Sequence, residues 1–270
     1  MIRVRMMERV MGGITKIILV IVLGVAQANA IERRVLLTAE ENEHLQLIEM
    51  PRLGIAISLG GEVMLADDPE LNTYNFPFLN NVRQFIICEK AAYCSIGNWV
   101  CRLDPETEKL EEVAVFDNDG FRIYPTVGQS FFVSTSEPEW STVMLVDPLN
   151  KVYTPIVKIE AYVHKVLSNR YLTLVWIDDS VYILGDDNKM YNFMSSASMQ
   201  DVVLFSEGLV CATDEGLLFV QSKEKVFNLS TEKYKKLWNI AGNLYLLSDN
   251  GELSCYYGFA DYLKLQSEKK

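Results

Sequence analysis

Two histidines in 270 residues leave little room for imidazole chemistry. Ser-His-Asp and Cys-His mechanisms need a histidine oriented by a third group. His164 stands in the strand-like run Ala161-Tyr162-Val163-His164-Lys165-Val166, and His44 in a charged stretch. No G-x-S-x-G elbow, no G-x-x-x-x-G-K-[ST] phosphate loop and no H-E-x-x-H helix occurs. Cysteine is also scarce. The spacings Cys88-x5-Cys94 and Cys94-x6-Cys101 miss the short C-x2–4-C knuckles of zinc sites, so no metal is expected. Arginine is too sparse for the cluster a sialidase uses, and the Ser-x-Asp-x-Gly-x-x-Trp pattern is not met. There is no low-complexity stretch and no Pro/Gly/Ser-rich linker. Beyond residue 30, no apolar run approaches the roughly 20 residues that a membrane-spanning helix needs.

What is present begins with a leader. Arg3, Arg5, Arg9 and Lys16 are basic, Ile17–Ala26 is an apolar run of ten residues, and Ala28-Asn29-Ala30 is a small-x-small cleavage site. Ten apolar residues are short for an uncleaved anchor, the alternative reading. Residues 1–30 are therefore expected to be a signal peptide, and 31–270 a single domain exported to the periplasm or the extracellular space. With the leader's four basic residues and Glu8 set aside, 21 Lys+Arg face 35 Asp+Glu, a net charge of −14. Such a surface repels phosphate backbones, which disfavours nucleic acid. It suits a basic partner, a cation or simple solubility.

The rest of the chain is a series of short apolar runs rich in Val, Ile, Tyr, Phe and Thr, separated by turn residues about every 8–12 positions, the pattern of an all-β fold. Runs are expected at Leu53–Leu59, Glu62–Ala66, Gln84–Ile87, Ala91–Ile96, Trp99–Leu103, Leu110–Phe116, Ser130–Ser134, Thr142–Val146 and Val152–Ile159. Only Ala39–Leu47 and Thr231–Leu237 read as helical, with Thr38 and Glu41 as a short capping box. Asp-Asn-Asp-Gly at 117–120 and the doublets Asp67-Asp68, Asp178-Asp179 and Asp186-Asp187 read as turn chemistry, because Asp and Asn bond their own backbone in tight turns.

One hairpin pattern recurs: an apolar strand, an Asp turn with Asn or Gly, and a second strand. It appears at Ser180–Tyr191, Leu209–Leu218 and Asn243–Ser254. The aspartates of these copies, Asp186, Asp214 and Asp249, lie 28 and 35 residues apart, and the Asp-Pro turns at Asp104 and Asp147 lie 43 apart. These intervals bracket the roughly 40 residues of a four-stranded propeller blade. The expected fold is an all-β β-propeller of about six blades, with five or seven also compatible and a β-sandwich or barrel as the alternative. The run Leu45–Met50 or Leu53–Leu59 is expected to complete the blade begun by Asn243–Tyr257, since an open edge strand invites mispairing.

Ala212-Thr213-Asp214-Glu215-Gly216-Leu217-Leu218-Phe219 resembles the A-T-x-x-G-L repeats of bacterial sensor propellers. Gly242–Leu253 resembles the inner hairpin of PQQ-like periplasmic propellers. The resemblance covers about Tyr171–Tyr257 and implies blades without implying a cofactor; none is expected.

Pairing across Gly97-Asn98 sets Cys94 opposite Cys101, within reach of a disulfide. The pair is read either as that bond or as two buried thiols. Candidate binding residues are Trp140, in the loop-like Ser136–Ser141, and Tyr74 and Phe76, which sit among turn residues, since exposed aromatics mark interfaces. The expected function is a non-enzymatic binding or scaffolding module whose partner is another protein or a glycan. The alternative is a glycan-active hydrolase or lyase with carboxylates in a central channel.

Overall fold

The computed structural model describes residues 8–11, 14–17, 33–38, 45–50, 54–59, 62–66, 73–74, 81–89, 91–104, 107, 109–196 and 198–268. Three strands come first. β1 (Glu8–Met11) pairs with β2 (Ile14–Ile17), and β3 (Arg33–Thr38) follows. Six antiparallel four-stranded sheets account for all the remaining described strands. The first holds β4 (Gln46–Met50), β5 (Gly54–Leu59), β6 (Glu62–Leu65) and β7 (Thr73–Tyr74). The second holds β8 (Gln84–Cys88), β9 (Ala91–Ile96), β10 (Trp99–Leu103) and β11 (Leu110–Val115). The third holds β12 (Phe121–Pro125), β13 (Phe131–Ser136), β14 (Ser141–Asp147) and β15 (Val152–Ile159). The fourth holds β16 (Val163–Ser168), β17 (Thr173–Ile177), β18 (Ser180–Leu184) and β19 (Met190–Ser195). The fifth holds β20 (Met199–Phe205), β21 (Gly208–Thr213), β22 (Gly216–Ser222) and β23 (Lys225–Ser230). The sixth joins β24 (Tyr234–Ile240), β25 (Asn243–Ser248) and β26 (Glu252–Tyr256) to β3. Six consecutive four-stranded meanders, the last completed by the N-terminal strand, are the blades of a β-propeller.

The chain falls into two compact units, one of residues 45–195 and one of residues 1–44 with 196–270. The first unit contains blades one to four. Its core includes Tyr93, Phe121, Ile123, Phe131 and Val133 where blades two and three pack, and Val143, Val163, Val166 and Val175 where blades three and four pack. The second unit contains blades five and six. Its core gathers Val203, Phe219, Tyr234, Leu237 and Leu246 with Phe259 and Leu263 of the one described helix, α1 (Phe259–Glu268).

The first strands of successive blades are tied together by polar side chains. Gln46 Nε2 donates to Arg83 O at 2.8 Å, Gln84 Oε1 accepts from Ile123 N at 2.8 Å, and Asp201 Oδ2 accepts from Leu237 N at 2.8 Å. Each bond satisfies a backbone group that the blade's own ladder leaves open.

Turn chemistry is seen at three of the expected positions, while the doublet Asp67-Asp68 lies outside the described residues. Asp147 Oδ1 accepts from Leu149 N and Asn150 N, Asp187 Oδ1 from Lys189 N, and Asn118 Oδ1 from Gly120 N. The three recurrent hairpins are not equivalent, however. Ser180–Tyr191 spans the third and fourth strands of its blade, whereas Leu209–Leu218 and Asn243–Ser254 span the second and third. The aligned turns are those at Asp104, Asp147 and Asp187, each between third and fourth strands and 43 and 40 residues apart.

Four expectations are corrected, the first being that α1 at Phe259–Glu268 stands where no helix was expected. Thr231–Leu237 is not helical, since Tyr234–Ile240 is strand β24. A register shift between Tyr234 and Lys236 places buried Tyr234 and Leu237 three apart, a helical spacing produced by a bulge. Likewise Gln46 and Leu47, assigned to the end of a helix, open β4; residues 39–44 lie outside the described set. The blade that begins at Tyr234 is completed by Arg33–Thr38, with Leu253 opposite Leu37, and not by 45–50 or 53–59, which build a blade of their own. Arg33 reinforces this closure. Its Nη1 meets Glu232 Oε2 at 2.8 Å and its Nη2 meets Glu252 Oε1 at 2.7 Å.

Candidate functional site

In a meander of four strands, the second-to-third connections and the links between blades fall at one end, and the remaining turns at the other. In the unit of residues 45–195 the first end carries Gly97-Asn98, 117–120, 137–140, 160–162 and 178–179. Among the described residues, seven exposed carboxylates stand there: Asp117, Asp119, Glu137, Glu139, Glu160, Asp178 and Asp179.

Four side chains form a ladder on this end. Trp176, on β17, is buried to 7% exposure, and its Nε1 donates to Asp178 O at 2.8 Å. His164, on β16, stacks on it with centroids 4.6 Å apart and planes at 27°. Tyr162, in the link between blades three and four, meets His164 edge-on at 5.0 Å and remains 41% exposed. Arg122, on β12, places its guanidinium 5.3 Å over the Tyr162 ring and donates through Nη1 to His164 O at 3.3 Å. Below them, buried Tyr124 lies with its hydroxyl 3.2 Å from Ser134 Oγ, and burial pushes its pKa up to about 12.

The electrostatics follow from this packing. Partial burial is the largest influence on His164 and lowers its pKa below the ordinary imidazole value; the Arg122 charge acts in the same direction, and Asp178 and Asp179 oppose both. At neutral pH the ring is a neutral stacking surface. Asp178 adopts φ +45°, which a two-residue hairpin turn requires and Asp tolerates.

Arg83 repeats the same device one blade earlier and 39 residues before Arg122. It pairs with Asp119 Oδ2 at 3.2 Å, donates to Gly97 O, and lies 5.6 Å over the Phe121 ring. In both cases an arginine of one blade clamps an aromatic at the entry to the next. The 39-residue interval was the available sequence signal, and neither the arginines nor Tyr162 were singled out.

Of the expected site residues, Trp140 lies at this same end and is half-buried. Its ring face is covered by Lys158 Nζ, 3.4 Å from the centroid, and its carbonyl accepts from Glu137 N at 2.8 Å. It is therefore a cation-capped ring. Tyr74 stands opposite Val63 in β7; its side chain, and all of Phe76, lie outside the described residues.

Cys94 opposes Cys101 in the ladder, the register that pairing across Gly97-Asn98 predicts, and both are thiols here. Burial pushes Cys94 up to about 12, with the Cys101 sulfur adding, and pushes Cys88 to about 11 and Cys211 to about 12. These thiols stay protonated at neutral pH and are poor nucleophiles. Among the described residues three carboxylates depart from ordinary behaviour, Asp147, Asp187 and Glu232, and all three move down because hydrogen bonds stabilise their anions. That is opposite to what a general acid needs. Among the described residues no cluster of His, Cys, Asp and Glu is placed to hold a metal, and no helix is long and apolar enough to cross a membrane.

No protein-family model and no curated protein matches the chain. Solved structures do. A protein named as a gluconolactonase is 12% identical across 84% of this chain and 91% of that one, with a TM-score of 0.61. The extracellular domain of a protein named as a one component system of B. thetaiotaomicron is 12% identical across 93% of this chain, with a TM-score of 0.55, and this chain spans only 38% of its length. A chain of the nidogen/laminin complex is 5% identical across 68% of this chain and 79% of that one, with a TM-score of 0.55. At such identities the likeness speaks for fold alone: the chain is a six-bladed β-propeller.

Proposed function

We propose that this chain is an exported, non-enzymatic binding module that docks a basic protein partner at the end of blades three and four carrying Arg122, Tyr162 and His164. The ladder is the observation that carries this reading. Tyr162 remains 41% exposed, with Arg122 over its ring and a His164 stack that ends on buried Trp176 beside it. Tyr, Trp and Arg dominate binding hot spots because they offer large contact areas at small entropic cost. The surrounding carboxylates favour a partner rich in lysine or arginine and repel acidic competitors. Trp140 with Lys158 lies at the same end, and Tyr74, on blade one, and Phe76 are further candidates. A propeller chain found within the nidogen/laminin complex supports a role in protein assembly, and an extracellular propeller of a bacterial one component system supports export.

The test is quantitative capture from the organism's exported fraction with the wild-type chain and the Tyr162→Ala, Arg122→Ala and Tyr191→Ala variants. The expected result is a basic protein lost from both ladder variants, retained by the Tyr191 control, and released as salt rises. Equal recovery by all four chains would refute the assignment. Export has its own check: N-terminal sequencing of the protein from that fraction is expected to begin at Ile31.

A further inference from the structure

The opposite end of the same two blades carries different chemistry. A depression of about 480 Å³ opens between the β12–β13 and β16–β17 turns. Phe132 and Leu145 contribute apolar lining, Ser130 and Ser168 line it with hydroxyls, and Arg170 stands at its lip. Val127, which lines it, and Tyr171, next to Arg170, are 53% and 82% exposed. The guanidinium of Arg170 and the hydroxyl of Ser130 have no hydrogen-bond or ion-pair partner among the described residues. Arg170 is thus an exposed guanidinium beside an apolar floor, open to a ligand carboxylate.

The turns that present these groups are internally tied. Asn169 Oδ1 accepts from Tyr171 N at 2.8 Å and Leu172 N at 3.0 Å, and Asn169 N donates to Leu172 O at 3.0 Å. This closes a tight turn with Arg170 and Tyr171 at its tip. Across the depression, Thr126 Oγ1 donates to Ser130 O at 2.6 Å and braces the other wall. Ordering of the site is thus supplied by the fold before any ligand arrives, which lowers the entropic cost of binding.

We infer that this depression is a second docking site, which takes an acidic protein segment carrying an apolar residue beside a carboxylate. The apolar side chain covers Phe132 and Leu145, the carboxylate meets the planar fork of Arg170, and the Ser130 hydroxyl bonds the segment's backbone. Arginine suits this role because its fork accepts a carboxylate through two parallel hydrogen bonds. Charge complementarity selects the occupant: a basic segment is repelled by Arg170, whereas at the Tyr162 end the same segment meets carboxylates. At the Arg170 end of blades three and four, Asp147, Asp186 and Asp187 are balanced by Lys151, Arg170 and Lys189, so the preference for a carboxylate is local to Arg170, whereas carboxylates dominate the Tyr162 end.

The experiment uses the full chain and two capped dipeptides, N-acetyl-Leu-Glu-amide and its neutral isostere N-acetyl-Leu-Gln-amide, followed by backbone NMR shifts at low salt. The Glu probe is expected to shift Gly128, Arg170 and Tyr171 and to bind about fivefold more tightly than the Gln probe, the scale of one exposed charge-assisted contact. Arg170→Gln should remove that preference, and Ser130→Ala should weaken both probes. Tyr162→Ala should leave both unchanged, so failure of the basic-partner reading at the other end does not affect this outcome. Equal binding of the two probes, a preference that survives Arg170→Gln, shifts located elsewhere, or no binding up to about 10 mM, well beyond the millimolar limit of weak specific binding, would each overturn the site. Arg170 and Ser130 lie outside the buried core, and an unchanged melting temperature of their variants verifies that the fold is intact.

Discussion

Replacing Gly216 with alanine tests how closely two strand connections approach each other in blade five. Gly216 sits in the Ala212-Thr213-Asp214-Glu215-Gly216-Leu217 stretch, opposite Thr213, whose Oγ1 donates to Gly216 O at 3.1 Å and accepts from Glu215 N at 3.2 Å. Its φ is +128°, and a Cβ built there would lie 2.1 Å from Ser230 O and 2.8 Å from Thr231 Cα. Both atoms are backbone, so no side chain can swing away. The dihedral alone costs about 1–3 kcal/mol for a residue with a Cβ, and forcing the two connections apart adds about 1–3 kcal/mol. The expected destabilisation is roughly 2–6 kcal/mol, against a total of about 5–15 kcal/mol for an ordinary domain. For a chain of this size, at about 2–4 °C per kcal/mol, that lowers Tm by roughly 4–24 °C. Gly128→Ala is the control: its φ is +138° with nothing within 4 Å of the added Cβ, so it carries the dihedral cost without the clash. Urea unfolding followed by tryptophan fluorescence measures both. A Gly216→Ala loss no greater than that of Gly128→Ala, or below about 1 kcal/mol, would refute the close-approach argument.

Other perturbations give smaller, directional effects. Arg33→Gln removes both ion pairs that reinforce the β3–β26 ladder; with Glu232 largely solvated the cost is about 1 kcal/mol, and the gap to wild type should narrow in high salt. Glu232 is held below the usual carboxylate range chiefly by the Tyr234 hydroxyl and then by Arg33, so its contribution to stability is present above that range and is lost as pH falls through its lowered value. The sign for His164 is set by the unfolded chain binding the proton more readily. Stability is therefore full above the ordinary imidazole pKa and declines as pH falls from there toward the depressed native value, and NMR titration should show that value rising in Arg122→Gln and falling further in Asp178→Asn. Refolding with oxidised glutathione is expected to close Cys94–Cys101, leaving three titratable thiols of five in urea and adding roughly 2–3 kcal/mol for so short a loop; a count of five would show that the opposed register does not suffice.

Strand alternation, turn residues and a repeat near 40 residues were readable along the chain because they are local. The period of two follows from the pleat, and Asp and Asn declare a turn through bonds to their own backbone. Nearly every strand from Gly54 to Ile159 was visible in this way, as was the hairpin that opposes Cys94 and Cys101. Where a bulge interrupted the alternation, at Tyr234–Lys236, the apolar spacing imitated a helix and the reading failed. Which strand would complete the last blade was not local either. Arg33–Thr38 does so because it pairs with residues more than 200 positions away, a choice made by the free edge of β26. The candidate sites belong to that second category. Arg122, the near neighbours Tyr162 and His164, and Trp176 come from three separate segments, and Phe132, Leu145 and Arg170 from three, so apart from the 39-residue interval between Arg83 and Arg122 neither spacing nor composition marks them. The sequence by itself determined the strands, the turns and the acidic surface; only the packing of one blade against the next decided which aromatics would be buried supports, which would face solvent, and which arginines would clamp a ring or stand free.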